Sequence, residues 1–162
     1  MLYFTSIGSP LRDLRLVASD EGLVAILWPD DDFRRVPLQA MREKPAHPTL
    51  VETARQLGSY FAGQLTRFEV PLDFRGTDFQ KSVWRALLAI PFGETRSYAE
   101  IARVIGRPTA LRAVGAANGR NPISIIAPRH RVFGSTGALT GFAGGLEAKE
   151  YLLRLEQRIE AA

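Results

Sequence analysis

Between Asn121 and Arg131 the chain reads N-P-I-S-I-I-A-P-R-H-R, and this stretch restricts the fold more than any other. An apolar run from Ile123 to Ala127 meets Pro128, and Arg129, His130 and Arg131 follow without a spacer. Such a run is buried in a folded chain, and the proline fixes φ and removes a backbone donor where the run ends. The side chains just beyond it are held in set directions at the edge of a core, which is how a protein presents a reacting or reading group. R-A-V-G (Arg112 to Gly115) lies upstream, and G-x-A-G-G-L (Gly141 to Leu146) leads downstream into a helix carrying Glu156.

The charge distribution bears on what that group meets. Residues 1–74 carry 8 Lys/Arg against 10 Asp/Glu, whereas residues 75–162 carry 13 against 7. Seven arginines (96, 103, 107, 112, 120, 129 and 131) fall within 94–131, against Glu94 and Glu100. A basic half beside an acidic half suits a polyanion bound at one end, but a solvated basic face gives the same count. The 162 residues suffice for one sizeable core or two small domains, and 46% hydrophobic with 23% charged residues is an ordinary globular composition. No apolar run approaches the ~20 residues of a membrane span, and the N-terminus lacks a signal-peptide pattern, so no membrane is expected and the cytoplasm is. The absence of cysteine excludes disulfides and thiol chemistry, and two distant histidines argue against a zinc site. Neither metal nor cofactor is expected.

Periodicity divides the chain near Arg75-Gly76, giving a domain over 1–76 and another over 77–162. Leu2 to Ile7, Leu14 to Ala18 and Leu23 to Trp28 read as strands of a short antiparallel sheet, with a hairpin turn at Ser19 to Gly22. Pro29 to Pro48 reads as surface loop. From about Thr49, Leu50, Ala54, Leu57 and Phe61 recur at helical spacing, and Gly63 offers a stop. Phe68, Val70, Leu72 and Phe74 alternate along an extended segment that Pro71 confines to an edge or a linker. Beyond it helices predominate. Thr77 with Gln80 and Ser97 with Glu100 form capping boxes, Thr109 can cap a helix reaching about Asn118, and Gly145 to about Ile159 is the last helix. Ile123 to Ile126 is the one candidate strand in this half.

Ser97 to Asn118 has the form of a helix-turn-helix. Ala113, Gly115, Ala116 and Ala117 keep the surface of its second helix low, either for a groove or for tight helix packing. Arg107, Arg112 and Arg120 tip the balance towards DNA, because phosphate contacts dominate nucleic-acid affinity.

These residues together resemble the O6-alkylguanine-DNA alkyltransferase family, whose motif P-C-H-R-V is matched by Pro128, Arg129, His130, Arg131 and Val132. The resemblance implies a ribonuclease-H-like α/β N-terminal domain and a mainly α C-terminal domain with a helix-turn-helix. It implies a second helix in the minor groove, with Arg112 as a finger filling the space of a flipped-out nucleotide and Tyr98 helping to rotate the target phosphate. Ala113, Gly115, Ala117 and Arg120 complete the implied DNA contact. Unstacking a base costs a few kcal/mol, which a wedge and phosphate contacts have to offset. The implied base pocket comprises Pro128, Arg129, Val132, Ser135, Phe142 and Gly144. His130, oriented by Glu156 and buttressed by Asn121, matches the base that activates the family's cysteine through water. Lys149 matches a family lysine to which no role is assigned.

The departure is Arg129, which stands where the nucleophile belongs. A guanidinium stays protonated, with a pKa above ~12, and has no lone pair to attack an alkyl carbon. No active catalytic residue is therefore expected, and alkyl transfer should be absent. Arg129 could donate to O6 or N7 of a flipped guanine, the favoured role, or fill the pocket. The expected function is recognition of O6-alkylguanine in double-stranded DNA without transfer, as in cysteine-less alkyltransferase-like proteins, by a monomer that passes the lesion to nucleotide excision repair. The alternatives are a methyltransferase inactivated at Arg129 and a lesion-independent DNA-binding module.

Overall fold

The computed structural model describes residues 1–29, 31, 35–134 and 145–161, with the side chains of the last helix as far as 157. They form two compact units, Met1–Arg75 and Gly76–Ala162.

In the first unit β1 (Leu2–Ile7), β2 (Leu14–Ala18) and β3 (Leu23–Leu27) pair antiparallel as the alternation predicts. The turn between β2 and β3 is closed by Ser19, whose N–H donates to the Gly22 carbonyl at 2.9 Å and whose Oγ accepts from Glu21 N–H. The supposed surface loop contributes a further strand, β4 (Met41–Glu43), parallel to β1, so the sheet is mixed with order β3-β2-β1-β4. A three-residue edge strand with one half-buried and two exposed side chains leaves no periodic signal to read. Leu2, Val17, Val24, Ala25 and Val36 form a core cluster, with the half-buried Leu38 and Met41 packed against it. Leu16, on the opposite face from Val17, is fully buried, and β2 packs against α1 (Pro48–Phe61) with its buried Leu50, Leu57 and Tyr60. The cap of α1 is His47, whose Nδ1 accepts from Thr49 N–H at 3.3 Å, ahead of a proline at the first helical position.

The extended segment at 68–74 runs along the β3 edge. Leu23 N–H donates to the Pro71 carbonyl and Asp73 N–H to the Leu23 carbonyl, at 2.8 and 2.7 Å. A Cβ on Gly22 would stand 2.7 Å from the Pro71 oxygen, so this approach needs a glycine.

The second unit is helical, with α2 (Asp78–Leu88), α3 (Tyr98–Val104), α4 (Leu111–Gly119) and α5 (Leu146–Ala161). Both predicted capping boxes form, Thr77 with Gln80 and Ser97 with Glu100. Thr109 does not cap α4. Ala110 N–H bonds back to the Arg107 carbonyl, which draws Thr109 into the turn and leaves Ala110 as a cap with no side-chain bond. A two-stranded parallel ladder joins β5 (Arg96–Ser97) to β6 (Val132–Phe133) and ties the start of α3 to the chain just past Arg131. Among the described residues, no helix is long and apolar enough to cross a membrane.

Candidate functional site

Ile123 to Ile126 is not a strand. Ile126 N–H donates to the Ser124 carbonyl at 2.9 Å, closing a three-residue turn with Ile125 at φ 76°, and Ala127 N–H reaches the Ile123 carbonyl at 3.0 Å. A buried β-branched residue in the left-handed region is strained and needs its surroundings to hold it. Asn121 supplies the hold. Its Oδ1 accepts from Ile123 N–H at 2.9 Å and its Nδ2 donates to the Ala127 carbonyl at 2.8 Å. The side chain offers the backbone the partners that a ladder would otherwise provide, so an apolar run suited to a strand becomes a clamped loop. Every residue from Asn121 to Val132 is buried.

Pro128 hands the chain to a short 3-10 turn, Arg129–Arg131. His130 is fully enclosed, and its Nε2 lies 2.7 Å from Glu156 Oε2. A carboxylate only accepts, so Nε2 carries the proton and Nδ1 is left as an acceptor. Among the described residues that buried Nδ1 has no hydrogen-bond partner. Burial pushes the His130 pKa below its usual value despite the opposing effect of Glu156, so the ring is neutral. For Glu156, burial acts upward, but the hydrogen bonds from His130 and Arg131 and the charge of Arg131 outweigh it and hold the carboxyl at about 2.

Arg131, to which the sequence assigned no role, fixes this pair. Its Nε donates to Glu156 Oε1 at 2.8 Å, its Nη2 to Oε2 at 3.0 Å and its Nη1 to the Ile90 carbonyl at 2.7 Å. Both carboxylate oxygens are therefore engaged, and the turn, α5 and the end of α2 are joined in one buried network. Lys149 belongs to the same region, its Nζ donating to the Val132 carbonyl at 3.0 Å and lying 4.6 Å from the Phe133 ring centre. Burial first, and then the charge of Arg129, lower its pKa to about 8. One sequence signal for both residues existed: cations at positions where the surrounding apolar pattern demands burial.

Arg129 itself is 4% exposed. Its Nη2 would be 4.0 Å from a Cβ placed on Gly119, so the guanidinium runs along the end of α4. Asn121, Pro128, Arg129, His130, Val132 and Glu156 are thus gathered around one turn. Ser135, Phe142 and Gly144 lie outside the described residues.

The helix-turn-helix residues divide by face. On α4, Arg112, Ala113, Ala116 and Arg120 are exposed and recur at helical spacing, with Arg103 and Arg107 exposed nearby. Ala117 and Gly115, placed by the sequence at the DNA contact, are on the packed side instead. Ala117 is 2% exposed, and its carbonyl accepts from Trp84 Nε1 at 2.8 Å. A Cβ on Gly115 would come within 3.3 Å of Tyr98 Cε2, and one on Gly134 within 3.9 Å of the same atom. Those small residues serve close helix packing and seat the Tyr98 ring. Among the described residues, no group of three His, Cys, Asp or Glu side chains could hold a metal.

This geometry has close counterparts. Residues 2–74 match the family described as 6-O-methylguanine DNA methyltransferase, ribonuclease-like domain, and residues 78–158 match the corresponding DNA binding domain. A methylated-DNA–protein-cysteine methyltransferase of Mycolicibacterium paratuberculosis is 48% identical over 158 residues, covering 98% of this chain and 94% of the relative. One from Methanosarcina barkeri is 49% identical over 157 residues, covering 96% and 98%. Among solved structures, Mycobacterium tuberculosis OGT in complex with DNA is 46% identical at a TM-score of 0.89, covering 97% of this chain and 94% of that one.

Proposed function

Since this chain belongs to the 6-O-methylguanine DNA methyltransferase family, we propose that it binds O6-alkylguanine in duplex DNA by base flipping, transfers nothing, and holds the lesion for repair. The observation that carries this reading is the intact His130–Glu156 pair and Asn121 clamp around a position occupied by an arginine. The relatives' name specifies a cysteine acceptor, and this chain contains no cysteine. A guanidinium cannot replace a thiolate, because it stays protonated and offers no lone pair to attack an alkyl carbon. What survives of the machinery is recognition.

The exposed face of α4 supplies the DNA contact in this reading. Arg112 enters the stack beside the flipped nucleotide, Tyr98 stands against the target phosphate, and Arg120 and Arg107 bind backbone phosphates. Favourable phosphate contacts offset the few kcal/mol that unstacking costs. Arg129, at the floor of the site, donates to the O6 or N7 edge of the entering base. The protein acts as a cytoplasmic monomer, and nucleotide excision repair proteins receive the complex.

Two observations favour a second reading, a methyltransferase silenced by its arginine. The chain spans 94–98% of relatives that carry the enzyme name, and the burial of Arg129 suits a side chain that fills the pocket. Competition binding decides for or against lesion recognition. A duplex with one O6-methylguanine, matched against the unmodified duplex at fixed salt, is expected to bind more tightly. Equal affinity overturns the reading and leaves a lesion-independent DNA-binding module.

A further inference from the structure

Within the helix-turn-helix, Val104 and Leu111 are the exposed large hydrophobic side chains among the described residues, at 71% and 44%. An exposed leucine by itself needs no explanation, so its place decides whether it has a use. Leu111 opens α4 and precedes Arg112, which points about 100° away from it round the helix. Four and eight residues on, along the side of Leu111, stand Gly115 and Gly119. A Cβ on Gly115 would meet Tyr98 Cε2 at 3.3 Å, and one on Gly119 would lie 4.0 Å from Arg129 Nη2. This side of α4 therefore runs from Leu111 past the Tyr98 ring towards the turn after Pro128, and of its three residues only Leu111 projects a side chain. Arg103, Arg107 and Arg112, all exposed, flank Leu111 in sequence, and the nearest acid along the chain is Glu100. An apolar group set among arginines suits the minor groove, where sugar faces and base edges lie between two rows of phosphates.

We infer that Leu111 is a second wedge beside Arg112, inserted from the minor groove against the sugar and base of the nucleotide that neighbours the extruded one. The inference rests on the reading above, in which α4 enters the minor groove and a nucleotide leaves the stack. The two side chains then act by different physics. Arg112 contributes through its charge, and that contribution weakens as salt rises. Leu111 gains by leaving water, in proportion to the apolar area that the DNA covers, and moderate salt leaves that gain unchanged. A branched apolar side chain between two bases also keeps them from restacking once the nucleotide has left. Glycine at 115 leaves the leucine standing clear of the backbone on the side where the Tyr98 ring meets the helix.

The test uses the full chain and two duplexes, unmodified and with one O6-methylguanine, each carrying 2-aminopurine next to the target base. Leu111→Ala is expected to weaken binding about fivefold, the effect of uncovering roughly half a leucine side chain, by the same factor at every salt concentration. The rise in 2-aminopurine fluorescence that marks unstacking is expected to fall by at least about half at saturating protein. Leu111→Met, which keeps the apolar bulk, is expected to stay within about twofold of the parent chain. Val104→Ala, which removes exposed apolar surface from α3 instead, is expected to change neither reading. Thermal midpoints of the variants show that each is folded. Unchanged affinity and fluorescence in Leu111→Ala, an equal loss in Leu111→Met or Val104→Ala, or a loss that disappears at high salt overturns the inference. The reading beneath it fails separately, when the parent chain binds the two duplexes alike. A salt-independent loss of affinity and fluorescence in Leu111→Ala on the unmodified duplex sustains the inference even so.

Discussion

Nε2 of His130 and Oε2 of Glu156 lie 2.7 Å apart in complete burial, and the carboxylate that orients the ring is itself gripped by the Arg131 fork. The imidazole therefore presents an unprotonated Nδ1 in a fixed direction, although the side chain next to it in sequence has no proton to give up at neutral pH.

Replacing Glu156 strips the network of its one anion among the described residues. Glu156→Ala leaves the Arg131 charge buried and uncompensated and should cost about 3–5 kcal/mol of stability. Glu156→Gln, which keeps some hydrogen bonds, should cost less. Urea denaturation of the two variants checks both the size and the order.

Acid should unfold the protein in two stages. The folded pKa of His130 is depressed, so its contribution to stability is present above the usual value of 6.5 and is lost as pH falls below it. Glu156 adds a second loss between 4.5 and about 2, because its folded pKa is also depressed. Thermal midpoints measured from pH 8 to pH 3 should fall in both windows, and His130→Gln should remove the upper one.

Lys149 titrates low partly because of Arg129. In Arg129→Ala the Lys149 pKa should rise from about 8 towards its ordinary 10.5, without reaching it, because burial is the larger cause. Titration of the lysine Cε resonance by NMR reads this directly. An unmoved resonance would show that the two cations are not coupled.

Arginines on α4 should differ in kind. Arg112→Ala should cost about 1–3 kcal/mol in binding the O6-methylguanine duplex and reduce the preference over unmodified DNA. Arg120→Ala should weaken both duplexes alike and lower the salt slope by about one. Binding isotherms at several salt concentrations separate the two.

Transfer should return with Arg129→Cys. The introduced thiol would pass its proton through water to Nδ1 of His130 and attack the alkyl carbon; as the carbon–O6 bond breaks, the departing guanine takes up a proton on its ring and His130 returns to neutral. Mass spectrometry after incubation with an O6-methylguanine duplex should show one added methyl per chain. A chain that stays unmodified while binding the duplex would mean that the turn no longer aims its side chain at the adduct.

Capping boxes at Thr77 and Ser97, the alternation along the first three strands and the run into Pro128 were all legible in the sequence, because each is set by neighbours within a few residues. The helix-turn-helix was legible for the same reason, and so was the missing nucleophile, since composition alone removes the thiol. Tertiary contacts decided the rest. Ile123 to Ile126 has the side chains of a strand, yet two hydrogen bonds from Asn121 bend it into a turn. Gly115 lies against Tyr98 and the Ala117 carbonyl accepts from Trp84, contacts made with side chains 17 and 33 residues away. Arg131 became the partner of Glu156 only when α5 met the turn, 25 residues on in the chain. Local sequence fixes which backbone shapes are cheap; which polar group satisfies which is decided by elements that meet only in the folded chain, where a buried charge without a partner costs too much to persist.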